Sequence, residues 1–172
     1  MLRRLRRTTG NQKGFTLLEV VAAFAITGLI GASITMAVYH TINVNSRSVN
    51  HVIAVTQVEK VAYAINRDVL MAQTIQPGGI SGFPLDLSWV EWDNTTHQVS
   101  YTLGNGELRR SHSVNGGAQN LTVVAEYISA DADETNCQYA NGVFTFTATA
   151  SLAGPYIATE TRMAQVIPRS TQ

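Results

Sequence analysis

The sequence predicts an α+β protein, with one long N-terminal helix packed on an antiparallel β-sheet head. Three observations predict it. No proline occurs before Pro77. Apolar residues recur at spacings of three and four as far as Ala72, which is helical periodicity. Beyond Pro77-Gly78-Gly79 the period changes to two, with glycine-rich turn signals between short runs. One helix followed by a run of strands is an α+β order.

The helical pattern runs from Phe15 to Gln76, roughly 60 residues or about 90 Å at helical rise. Its first part, residues 15–40, is apolar on every face and long enough to cross a bilayer. Gly28 and Ala32 lie four apart, with Gly31 and Ser33 beside them, and small residues so spaced allow close helix approach. In residues 41–76, Val52, Val55, Val58, Ala62, Ile65, Val69 and Ala72 form one apolar stripe. Gln57, Glu59, Lys60, Asn66, Arg67 and Asp68 are expected on the other faces. Such a helix covers a core. The head is expected over residues 77–172.

Strand signals fill that head. Residues 85–93 carry Leu85, Leu87, Trp89, Val90 and Trp92. Val99, Tyr101 and Leu103 alternate with polar residues and lead into the turn Gly104-Asn105-Gly106. Glu107 to Val114 reads as the partner strand, and Asn115-Gly116-Gly117 as the next turn. Leu121 to Ile128, the strictly alternating run around Phe144 to Ala150, and residues 156–167 complete the set.

Charge narrows the function. The 172 residues carry 12 basic and 12 acidic side chains. Five of the basic ones, Arg3, Arg4, Arg6, Arg7 and Lys13, precede Gly14. Without residues 1–14 the chain keeps 7 basic and 12 acidic side chains, a net of about −5. Phosphate binding needs clustered Lys and Arg, and only Arg109-Arg110 pairs beyond the apolar segment, so direct nucleic-acid binding is not expected. The lone Cys137 excludes an intramolecular disulfide and is expected in a loop. An ordinary secretory signal has a shorter apolar run and a small-residue cleavage site after it. The basic leader places the N-terminus in the cytoplasm and the head outside the membrane.

One acid interrupts the apolar segment. Glu19 stands five residues after Gly14, where a carboxylate in hydrocarbon costs about 2–3 kcal/mol or more. The segment Gly14-Phe-Thr-Leu-Leu-Glu19, behind a basic leader and before an apolar helix, resembles the signal of type IV pilins and type II secretion pseudopilins. The resemblance covers about residues 10–40. It implies a pilin-like fold and cleavage of the leader 1–14 after Gly14 by a prepilin peptidase. It implies N-methylation of Phe15, and assembly in which Glu19 meets the amine of Phe15 on a neighbouring subunit. The implied partners are the peptidase, other pilin or pseudopilin subunits, the inner-membrane assembly platform and membrane lipid, with no cofactor and no enzymatic role. The segment from Val99 to Val114 is similar to a hairpin of J-type minor pseudopilins, although any Asn-Gly hairpin alternates in this way. The lack of helix proline is further support for a minor subunit.

The remaining candidates are less specific. Asp131, Asp133, Glu134 and Asn136 form an acidic loop in which Asp131 and Asp133 are weak cation candidates. The glycine and bidentate glutamate of an EF-hand loop are missing, and a solvated loop is the simpler reading. His40, His51, His97 and His112 show no metal spacing; His97 and His112 could face each other across a hairpin, but are expected to be surface polar residues. No catalytic triad or phosphate loop stands out. Asn94 and Asn120 begin glycosylation-like triplets without further support. Two other classes stay open. One is a membrane-anchored binding, adhesin or DNA-uptake module, for which Trp89 and Trp92 would matter if exposed, although tryptophans near a strand are expected in the core. The other is a single-pass membrane enzyme, for which no residue set speaks.

Overall fold

A computed structural model describes residues 14–154 and 156–169. The basic leader before Gly14 lies outside them. Among the described residues, one helix, α1 (Leu17–Met71), is followed by eight strands. These are β1 (Thr74–Gly78), β2 (Gly82–Val90), β3 (Thr96–Gly104), β4 (Glu107–Val114), β5 (Asn120–Glu126), β6 (Asn136–Ala140), β7 (Val143–Leu152) and β8 (Ala158–Val166). The strands form two antiparallel sheets where one was expected, β1-β2-β3-β4-β5 and β6-β7-β8. The chain divides into two packing units, at Val44/Asn45.

In the first unit, every described residue from Gly14 to Ile42 is exposed. Its hydroxyls bond inward along the helix. Thr27, Ser33, Thr35 and Thr41 each donate to the carbonyl four residues earlier, at 2.8–2.9 Å. No hydroxyl in this set needs water, which suits a helix in an apolar medium.

In the second unit, α1 buries Ala54, Val58, Val61, Ala62, Ile65 and Val69 against Leu85, Leu87, Tyr101, Phe144 and Phe146. The buried stripe differs from the expected one. Val52 is 61% exposed, whereas Gln57 and Asp68, expected on the outer faces, point into the head. Both do so because strand groups need partners there. Gln57 Oε1 accepts from the Glu126 amide of edge strand β5 at 3.0 Å. Asp68 accepts from Tyr101 Oη at 2.6 Å, Arg110 Nε at 2.6 Å and Arg67 Nε at 3.0 Å. Burial alone would raise the Asp68 pKa, but the hydrogen bonds from Arg110 and Tyr101 and the Arg110 charge outweigh it and hold it below the ordinary value.

The helix stops at Met71, five residues before the expected Gln76. Tertiary pairing ends it. The Gln73 amide bonds Ser88 O at 2.9 Å, and the Gln73 side chain bonds both the amide and carbonyl of Val90. Thr74 and Ile75 are β-branched and continue as edge strand β1, where Pro77 is tolerated. Strand β2 starts at Gly82, earlier than expected, and ends before Trp92. Strand β6 was not anticipated. Asn105-Gly106 and Asn141-Gly142 both have positive φ at each central residue, the geometry of two-residue hairpins.

Strand β6 seals against the first sheet at Gly82. The Cys137 amide donates to Ser81 O and its Sγ to Gly82 O. A Cβ at Gly82 would collide with the Cys137 carbonyl, and its φ of +81° already strains any other residue.

Three stability outcomes follow, all read by urea unfolding of the full chain in detergent micelles. Gly82→Ala should cost about 2–4 kcal/mol. Asp68→Asn should cost about 3–5 kcal/mol, because Arg110 is left half-buried without a counter-charge. Tyr101→Phe should cost about 1–3 kcal/mol. Because the folded Asp68 pKa is depressed, its contribution is present above the unfolded carboxylate value and is lost as pH falls through the folded one. Asp68→Asn should flatten that acid limb.

Candidate functional site

The candidate site begins at the first described residues. Gly14 is exposed, and a Cβ there would meet nothing within 4 Å. Phe15 is 81% exposed. Helix α1 is then started by Thr16, whose Oγ1 accepts from the Glu19 amide at 3.3 Å. Its carbonyl accepts from Glu19 N at 3.0 Å and Val20 N at 3.2 Å. Thr16-Leu17-Leu18-Glu19 has the spacing of a capping box, so Glu19 sits at the third helical position. Sequence reasoning passed over Thr16, although the Thr-x-x-Glu spacing was there to be read.

Glu19 also lies where the helix dipole favours an acid. Among the described residues, no side chain pairs with its carboxylate. Phe15, Glu19, Val20, Ala23, Phe24 and Thr27 line one shallow groove, apolar apart from Glu19 and the self-satisfied Thr27. Further along, Gly28 and Gly31 have open space where a Cβ would be. The segment thus offers a solitary acid, an apolar groove and two flat places on a fully exposed helix. Chemically it can pair with a cation and pack against another apolar surface, and it does neither within the described chain.

The head accounts for the other candidates. Asp131 Oδ1 accepts from the Asp133 amide at 3.0 Å, and Asp131 O accepts from Thr135 N at 2.8 Å, so the acidic loop closes on itself. Among the described residues, no group of three His, Cys, Asp or Glu side chains is arranged to hold a metal ion. Arg109 pairs with Glu107 at 2.8 Å on the surface and Arg110 with the buried Asp68 at 2.6 Å, so each member of the basic pair already has an acidic partner. Cys137 lies in strand β6 rather than in a loop, and burial pushes its thiol up to about 12, which keeps it protonated. His51 is 4.0 Å from Glu160, and Arg162 pairs with Glu59, holding α1 to β8. His97 and His112 do face each other, Nδ1 to Nε2 at 3.0 Å, stacked beside buried Trp89. Trp92 is 95% exposed in the β2–β3 turn.

Residues 9–35 match a protein family described as a prokaryotic N-terminal methylation motif. Comparison with curated proteins and with solved structures returns no match. The motif belongs to structural subunits and implies processing by a prepilin peptidase and assembly with other pilin subunits. Together with the apolar helix, it points to anchoring in the inner membrane. Motif, exposed apolar helix and antiparallel head agree, and they support a place for this chain in the type IV pilin and pseudopilin family.

Proposed function

We propose that this chain is a minor subunit of a type IV filament, either a type II secretion pseudopilus or a type IV pilus. It is made as a precursor and cut after Gly14, which leaves Phe15 as the N-methylated first residue. Residues 15–40 hold it in the inner membrane with the N-terminus in the cytoplasm. Residues 41–76 carry the head, residues 77–172, on the outside. The observation that carries the reading is Glu19, a carboxylate within the motif on an exposed apolar stretch of helix, with no partner side chain among the described residues. In a bundle of such helices its partner is the charged amine of Phe15 on the next subunit, since an unpaired charge in that medium costs several kcal/mol. The minor role rests on the proline-free helix and the Val99–Val114 hairpin. The protein's work is then mechanical, and it performs no chemistry of its own.

A second reading has one observation in its favour. Trp92 stands out from the head, as a contact residue of an adhesin or substrate-recognition surface would. A DNA-uptake role has less support, because Arg109 and Arg110 are both paired within the head.

Glu19→Ala tests the assembly reading. The variant should insert and be cleaved normally, yet enter filaments about 30–100-fold less than wild type, as cross-linking of sheared filaments would measure. Gly14→Val should instead accumulate uncut precursor. Trp92→Ala should leave assembly unchanged, and a loss of surface binding there would favour the second reading.

A further inference from the structure

Three rings stack across the first sheet. Trp89 of β2, His97 of β3 and His112 of β4 lie nearly parallel, with centroids 5.1 Å apart for Trp89–His97 and 5.2 Å for His97–His112. Trp89 and His97 are direct partners in the β2–β3 ladder, and His97 is opposite Val114 in the β3–β4 ladder. The stack therefore pins the ends of three strands beside the Trp92 turn. His97 Nδ1 and His112 Nε2 share one hydrogen bond at 3.0 Å. On the other side, Glu91 Oε1 comes within 3.2 Å of His97 Nε2 at ion-pair distance, though without the alignment of a hydrogen bond. Among the described residues, no group of three His, Cys, Asp or Glu side chains here could hold a metal ion.

We propose that this stack is an acid-operated clasp, closed while the two histidines share a single proton and opened when both rings are protonated. The reason is steric as well as electrostatic. A line of 3.0 Å between two ring nitrogens holds one proton. The neutral pair satisfies it, and so does a pair with one imidazolium donating to a neutral ring. Two imidazolium rings would aim N–H at N–H, and the contact must break.

The surroundings oppose a proton on His112. Glu91, in the β2–β3 turn, faces His97 at ion-pair distance, and Asp93 lies in the same turn. His112 is opposed by burial, then by the charges of Arg110 on β4, His97 on β3 and Arg67 on α1, with only Asp68 in favour. Its pKa is accordingly lowered from the ordinary histidine value. The folded protein thus resists a proton that the unfolded chain accepts. Stability is full above about pH 6.5, falls as pH drops below it, and levels off below the folded value of His112. Opening would uncover Trp89, whose Nε1 has no hydrogen-bond partner among the described residues, beside the already exposed Trp92. The end of the sheet would then present two indoles in acid and one at neutral pH. The proposal rests on the head alone and stands whether or not the chain forms filaments.

The test uses the full chain in detergent micelles, carrying Trp92→Phe so that Trp89 is its sole tryptophan. Between about pH 7.5 and 5, Trp89 emission should shift to the red, and Tm should fall by about 3–6 °C for each unit of pKa depression. His112→Gln keeps an amide for His97 but cannot gain a proton, so both changes should vanish. No change in the parent protein over that range, or an unchanged shift in His112→Gln, overturns the proposal. If His112→Gln does not fold, ring-nitrogen NMR of the wild-type protein decides. Coupled titration of His97 and His112 in two steps supports the clasp, and independent one-step titration of each ring sinks it. Loss of the Asp68 interaction falls in a separate, more acidic window.

Discussion

Glu19 is the one acid on the exposed, largely apolar first stretch of α1, and no described side chain neutralises it. Water would make that arrangement harmless for the acid but costly for Phe15, Leu17, Leu18 and Phe24, which are all exposed. Hydrocarbon would suit those residues but not an unpaired acid. The two demands meet where apolar helices pack side by side and one of them brings a positive charge to the depth of Glu19. On the proposed reading, removal of the leader makes that charge, by freeing the amine of Phe15. Cleavage and assembly then become one electrostatic event in two steps. Thr16 contributes by capping the helix, which fixes Glu19 in the first turn rather than in a frayed end.

The second half of the same helix answers a different problem. It must hold a head made mostly of strands, and apolar packing alone leaves strand ends and a tyrosine hydroxyl to satisfy. Gln57 and Asp68 meet those needs from within the helix face. Asp68 is only 3% exposed, so it depends wholly on Tyr101, Arg110 and Arg67. Replacing the cluster with apolar residues could be neutral for stability. What the cluster adds is register, because one carboxylate can meet both Tyr101 and Arg110 at only one position of α1 on the sheet. If the subunit bears load in a filament, that register is what keeps helix and head together.

Much of this was legible beforehand, for reasons that differ by element. The long helix was visible because a spacing of three and four persists without proline, and local periodicity survives without knowledge of the fold. Its end was misplaced because Thr74 and Ile75 are taken up by pairing with β2, a tertiary event. Gln57 and Asp68 were put on the wrong face because polar residues usually face water, and their partners lie on strands far along the chain. Strand β6 was missed because it is five residues long, although the Asn141-Gly142 turn behind it was a usable signal. The two-sheet division could not be seen in alternation, which reports a strand but not its neighbours. In the N-terminal segment the motif was plain and the capping role of Thr16 was not noticed. His97 and His112 were expected as surface polar residues that could face each other across the hairpin; they do face each other, but half-buried beside Trp89, which alternation could not report.

The most direct measurement is the intact mass and first residue of the protein extracted from its own membrane. A chain that begins with N-methylated Phe15 is the expected result, and it would tie the free amine to Glu19 in the way assembly requires. A chain that still begins at Met1, or one cut beyond residue 40, would contradict the filament reading and leave an anchored or secreted β-rich head.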